Sequence, residues 1–334
     1  MAELRSWRHR RAPGEPIGAA TRESYYGLPV IHGPHWHWPI VFYFLLGGLA
    51  GGSAVLAAAA RLLGGRSARP IVRAGRYLAF LAVLPGPLLL IVDLGRPERF
   101  HHMLRVIKLR SPMSLGVWGL IAFSLSAFLN ALRQAVDDGF FGRSHRLVRG
   151  FQQLPDRALA IASTVPAFFL AGYTGVLLGA TAVPLWARNA LLLGPLFLCS
   201  ALSSAAATLS LLLTRRSQND RAEQALAQVE FLALTGEVAL LEAVHRKSGP
   251  VIGRPLRHGA EGRAFAGARA TTAAALALHG LALLLPRRWR QRLGLPASIL
   301  ALAGAFLLRA TMVFGGHRSA DDPAATFALT RSDE

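Results

Sequence analysis

Long apolar runs separated by short basic loops set the plan of this chain. Such runs can be read at about 40–60, 74–94, 113–132, 158–180, 189–213, 224–244, 265–285 and 296–314. A helix needs about 20 mostly apolar residues to cross a hydrocarbon core of roughly 30 Å, so each run predicts one transmembrane helix. The separators, among them "RLLGGRSARPIVR" and "PRRWRQRLGLP", hold Arg, Pro and Gly, as interfacial loops do. An even number of spans puts both termini on one side, called here the first face. No sequence repeat of the kind that marks inverted-repeat transporters is visible.

The runs also predict how helices meet. In "FLLGGLAGGSAVLAAAA", Gly47 pairs with Gly51 and Gly48 with Gly52 at helical spacing, which lets a neighbour approach backbone to backbone. A phosphate loop is the alternative, but the Lys-Ser/Thr ending is missing and the segment lies within a span. Pro85, Pro87, Pro166 and Pro195 fall inside runs and predict kinks.

Composition narrows the class. Of 334 residues 52% are hydrophobic and 16% charged, with a mean hydropathy of +0.36; a soluble domain carries about 25% charged residues. The net charge of +19 raises nucleic acid as a partner. The Lys and Arg residues, however, form short clusters between spans and not one soluble face, so the bilayer's anionic head groups are the expected contact and nucleic acid is not. They divide almost evenly between the two faces, and the positive-inside rule leaves the orientation open. The single cysteine, Cys199, excludes an intrachain disulfide and a Cys-ligated iron–sulfur cluster held by this chain alone. "MAELRSWRHRRAPGEPIG" has no apolar stretch behind its charges, so residues 1–37 read as a basic segment and not as a signal peptide. Residues 317–334 read as a polar tail.

Ionisable groups at membrane depth are costly and therefore candidates for function. Asp93 closes the second span in "LLLIVDLGRPERF", near Arg96 and Arg99. It reads either as an interfacial ion pair or as a carboxylate that accepts and passes protons. Glu223, Glu230 and Glu237 recur every seven residues, two helical turns, and line one face of the sixth span. They read as a proton path or as a polar seam paired with Arg309 of the last span. Tyr173, flanked by Gly172 and Gly175, either meets a small molecule or bonds a neighbouring carbonyl. His279 is alone in its span, and His35, His37, His101, His102, His245 and His317 lie near span ends. No two suggest facing ligands at one depth, so neither haem nor another metal site is expected.

In chain order, "SYYGLPV…WHW…FLLGGLAGG", "DLGRPERF", "SPMSLGVW", "GYTGVLLGATAVPLW" and "LRATMVFGG" resemble the NrfD/PsrC family of polysulfide-reductase-type membrane subunits. The resemblance runs from Ser24 to Gly316. It implies an all-α integral membrane protein, a haem-free bundle of eight transmembrane helices over 38–316 in two four-helix-bundle-like halves. It also implies electron exchange between the menaquinone or ubiquinone pool and a four-cluster ferredoxin-like subunit carrying 4Fe-4S clusters, itself joined to a molybdopterin or tungstopterin catalytic subunit. Formate dehydrogenases and polysulfide reductases are of this type, and the setting implied is the cytoplasmic membrane. By position Tyr173 matches the family's quinone-bonding tyrosine, Asp93 its proton-associated carboxylate and Arg309 its last-helix arginine. The family's early first-helix asparagine and histidine correspond to Ile40 and Tyr43, which leaves Tyr43 and His37 as the second quinone contacts. Residues 1–37 and the loop with Arg96, Arg99, His101 and Arg105 are the expected docking surface, while Glu230, Glu237 and Arg309 join Asp93 in proton handling. A secondary transporter built on the Glu/Arg group and a passive anchor for a redox complex are the competing classes.

Overall fold

The computed structural model describes residues 31–331 apart from 32, 34–35, 95, 106, 109, 142–149, 152, 154 and 215–219. Most of the expected N-terminal docking segment, with His35, lies outside the described residues. The helices are α1 Trp38–Leu63, α2 Arg69–Val83, α3 Pro85–Asp93, α4 Pro112–Asp137, α5 Asp156–Gly179, α6 Pro184–Arg188, α7 Ala190–Thr214, α8 Asp220–Lys247, α9 Arg254–Arg257, α10 Gly259–Leu284, α11 Arg287–Ala320 and α12 Pro323–Arg331. No strand occurs among the described residues. The chain is an all-helical membrane protein.

Seven spans among the described residues are long and apolar enough to cross a bilayer, α2 and α3 together forming the second. The predicted sixth span differs. Helix α8 is too rich in carboxylates to qualify by composition, yet its 28 residues reach ~42 Å at 1.5 Å per residue. It packs against α7 and α10, so it runs with the bundle as an eighth long helix. Two groups result. Helices α1, α2, α4 and α5 surround one another, as do α7, α8, α10 and α11, and the groups join mainly where α1 and α5 meet α7. Large apolar side chains such as Val165, Leu191 and Leu284 point outward and form the surface that lipid covers.

Local sequence explains the details. Pro85 and Pro87 break the second run at Leu84, because neither can donate the hydrogen bond that would continue α2. Pro166 and Pro195 sit inside unbroken helices. Gly51 faces the backbone of Ala167 and Ala171 on α5, and Gly52 faces the Ala201 carbonyl on α7. The expected close packing is therefore made on two sides of α1 at once. Gly52→Val should cost about 1–3 kcal/mol through overpacking, read as a lower unfolding temperature in detergent. At the other end α11 continues through Ser319, whose hydroxyl accepts the Leu185 N–H at 3.0 Å. The bundle thus extends past residue 316, and part of the expected polar tail is the helix α12, packed on α6 and α11.

Candidate functional site

Polar groups gather at the first face, in the core and at the second face among the described residues. At the first face His37 caps the start of α1, and its backbone N–H donates to Asp93 Oδ1 at 3.4 Å while its Nδ1 lies 3.8 Å from the same oxygen. The Asp93 side chain is 8% exposed. Arg96 and Arg99 are exposed and do not pair with it, so the ion-pair reading shifts from arginine to histidine. The loop leaves α3 in an extended direction at Leu94, which carries both arginines away from the carboxylate.

Two phenols lie deeper. Tyr43 is six residues into α1 from His37, ~9 Å along the axis, and its ring faces the bare Cα of Gly86. One turn further Gly47, on the same side of α1, is buried, and among the described residues no atom outside its own stretch of helix lies within 4 Å of where a side chain would begin. Tyr173 on α5 is buried, stacks on Phe169 at 4.7 Å and donates its hydroxyl to the Pro112 carbonyl at the start of α4. Gly116 leaves the room that phenol occupies. Gly172 and Gly175, which flank it in sequence, do not face the phenol. Both face α7, where Gly175 meets the backbone of Leu193 and Gly194.

The core site is organised by Arg309, fully buried on α11. Its Nε donates to the Phe44 carbonyl at 3.1 Å and its Nη1 to Ser200 Oγ at 2.9 Å and the Ala305 carbonyl at 2.8 Å; the guanidinium lies 5.6 Å from the Phe197 ring centre. Gly48 is what admits it, since a Cβ there would fall 2.5 Å from Nη2. Glu237, also fully buried, accepts from Ser203 Oγ at 2.7 Å. The expected direct pair between Arg309 and the glutamate column does not form within 4 Å. Ser200, which accepts from Arg309, neighbours Glu237 and stands between the charges. One heptad earlier Glu230 accepts from Ser298 Oγ at 3.2 Å and lies 2.8 Å from His279 Nε2. One heptad earlier again Glu223 accepts from Gln291 at 3.1 Å. A cavity of about 50 Å³ lined by Glu223, Arg290, Gln291, Ser298 and His279 opens beside this column. Its walls are mostly apolar, with Leu211, Leu213 and Leu226 among them, and the volume is roomy enough for a water that meets the polar groups on one side. Among the described residues no three His, Cys, Asp or Glu side chains come together as metal ligands.

At the second face Asp156 holds both Arg61 and Arg76, and Asp138 accepts from Arg73 and Tyr77, each at 2.8 Å. Partial burial alone would raise the Asp138 carboxyl, but hydrogen bonds from Tyr77, Gln134 and Arg73 and the Arg73 charge hold it below the usual value. A carboxylate with a depressed folded-state pKa stabilises the fold above its unfolded pKa of about 4, and that contribution fades as pH falls through the folded value. The unfolding temperature of Asp138→Asn should therefore fall below wild type at pH 7 and converge with it in acid.

The sequence comparisons bear on the family and not on the placing of single residues. The model for "Polysulphide reductase, NrfD" matches residues 32–319. The chain belongs to the NrfD family. It is 35% identical to a polysulfide reductase chain of Wolinella succinogenes over 51% of this chain and 55% of that protein. It is 28% identical to the protein NrfD of Escherichia coli over 84% of this chain and 94% of that protein. A selenate reductase subunit of Mesobacillus selenatarsenatis is 29% identical over 47% of this chain and 34% of its own length. The matched stretch thus spans about half of the Wolinella protein and a third of the Mesobacillus one.

Within this NrfD chain the expected docking residues Arg96, Arg99, His101 and Arg105 are all exposed, on and around the short helix Pro97–Leu104, and Phe100 and Leu104 are exposed among them. Sequence reasoning missed the residues that join the charges: Ser200, Ser203, Ser298 and Gln291. One signal was available. Gln291 and Ser298 are seven apart, the same interval as Glu223 and Glu230, so two helices offer polar side chains at matching heights.

Proposed function

We propose that this chain is the quinone-reactive membrane subunit of a multi-subunit oxidoreductase in the cytoplasmic membrane. A partner subunit with 4Fe-4S clusters docks on the first face at Arg96, Arg99, His101 and Arg105 and joins a molybdopterin or tungstopterin subunit of the polysulfide reductase or formate dehydrogenase type. The observation that carries this reading is the two-level arrangement at that face, with a shielded carboxylate at the rim and two buried phenols about two turns below. Open space beside Gly47 on the Tyr43 side of α1 suits a flat ring there.

A menaquinone or ubiquinone supplies the redox centre, gaining two electrons and two protons on reduction and returning both on oxidation. The chain's own residues do the rest. Tyr173 turns its hydroxyl from the Pro112 carbonyl to the ring oxygen, Tyr43 or His37 serves the second oxygen, and Asp93 exchanges protons with the rim. The burial of Tyr43, Tyr173 and the Asp93 carboxylate keeps bulk water from them, while His37 stands exposed at the rim. Glu230 and His279, beside the small cavity, and Glu237, beside Arg309, offer further proton-holding groups toward the second face.

The test is a gentle detergent pull-down on a tagged full chain, with mass spectrometry of what accompanies it. Recovery of an iron–sulfur subunit with a molybdopterin protein is the expected result. A chain that purifies alone after mild crosslinking, and that drives substrate uptake in vesicles, would replace this reading with a transporter built on Glu230, Glu237 and Arg309. Recovery of the partners without displacement by quinone-site inhibitors would reduce the chain to an anchor.

A further inference from the structure

A cleft of about 1830 Å³ has no place in the redox reading. It opens at the second face, where α2 of one helix group faces α7 and α11 of the other. Its lining changes character with depth. At the mouth stand the exposed Arg66, Arg69 and Arg73, with Arg61, Arg133 and the buried Arg76 behind them. Beyond them the walls are Leu78 and Leu81 of α2, Leu211 and Leu212 of α7, and Leu295 and Ile299 of α11.

The charge at the mouth is not balanced. Asp156 serves Arg61 and Arg76, Asp138 serves Arg73, and Asp137 serves Arg133. Six cations thus face three carboxylates, and Arg66 and Arg69 make no ion pair among the described residues. Both are exposed. The depth is also informative. From Arg69 to Leu81 is twelve residues of near-continuous helix, ~18 Å at 1.5 Å per residue, slightly more than one leaflet of a roughly 30 Å hydrocarbon core. Leu81, Leu212, Leu295 and Ile299 stay substantially exposed along that depth. A soluble anion would leave those leucines uncovered, and an uncharged lipid would leave the two arginines without a counter-charge.

We propose that this cleft is a binding site for one anionic phospholipid, its phosphodiester held by Arg66 and Arg69 and its acyl chains laid between α2 and the α7–α11 pair. The lipid would fill the seam between the two helix groups at this cleft. The fixed pairs Arg61–Asp156–Arg76 and Arg73–Asp138 border that headgroup.

The test is lipid retention by the full chain or its intact complex, purified in mild detergent and measured by native mass spectrometry during titration with tetraoleoyl cardiolipin, dioleoylphosphatidylglycerol or dioleoylphosphatidylcholine. The anionic lipids should bind with a stoichiometry of one in preference to phosphatidylcholine. Arg66→Gln with Arg69→Gln should weaken that binding about thirty-fold, since each cation near a phosphate is worth about 1 kcal/mol. Ile299→Trp, which fills the apolar wall and leaves every arginine in place, should also lower retention. Arg288→Gln with Arg292→Gln, on the same face but outside the lining, should not. Equal retention of phosphatidylcholine, equal loss in the Arg288/Arg292 control, or equal occupancy by inorganic phosphate would each overturn the proposal.

Discussion

Arg309→Ala should be among the most destabilising single substitutions in this bundle, at about 3–5 kcal/mol, the range for breaking a buried, hydrogen-bonded charge arrangement by removing one member. Three partners lose a donor at once: the Phe44 and Ala305 carbonyls, which keep their helical N–H, and Ser200. Glu237 loses its nearest positive charge while staying fully buried. The unfolding temperature in detergent, or the midpoint of a denaturant titration in mixed micelles, reads the loss. Adding Glu237→Gln should restore part of it, because the amide removes the uncompensated charge and can still meet Ser203. Arg309→Lys should recover less, since a point charge on a flexible stem cannot reach Phe44 and Ser200 together. A loss below about 1 kcal/mol in Arg309→Ala would show that the guanidinium does not organise the core.

The same arrangement shows what could and could not be read from the residues. Span positions were legible because a bilayer demands about 20 apolar residues in a row, a constraint that acts on each segment alone. Gly51 and Gly52 were legible for the same reason, since small residues at four-residue spacing permit close approach whatever the neighbour is. Gly172 and Gly175 show the limit: their smallness was apparent, but the side they face depends on where α7 lies. The Glu223–Glu230–Glu237 column was visible as a spacing. Its partners were not, because serines in "CSALSS" look like ordinary small interface residues until α7 and α8 are placed side by side. Asp93 failed differently. Arg96 and Arg99 are nearest in sequence, but the loop turns away, and the contact comes from His37, 56 residues earlier.

On the redox reading, Asp93→Asn should lower turnover of a menaquinol analogue by the whole complex about 100-fold, the lower end of what a positioned proton-transfer group contributes. The substitution is well suited to the question. An asparagine oxygen can still accept the His37 N–H, so the start of α1 and the end of α3 should stay joined and the subunits should still co-purify. What disappears is the ability to take and release a proton. The loss should therefore fall on kcat and leave KM nearly unchanged, and it should shrink where an exogenous weak acid of suitable size reaches the rim. Tyr173→Phe should behave in the opposite way. It removes the hydrogen-bond donor that this reading turns from the Pro112 carbonyl to the quinol, and KM for the quinol should rise by about tenfold, the cost of one hydrogen bond of roughly 1.4 kcal/mol. The two variants separate binding from proton transfer within one assay. Wild-type turnover in Asp93→Asn, with the complex intact, would return that carboxylate to a structural contact with His37, whereas a rise in KM there in place of a fall in kcat would move it from the proton route to the quinone contact itself.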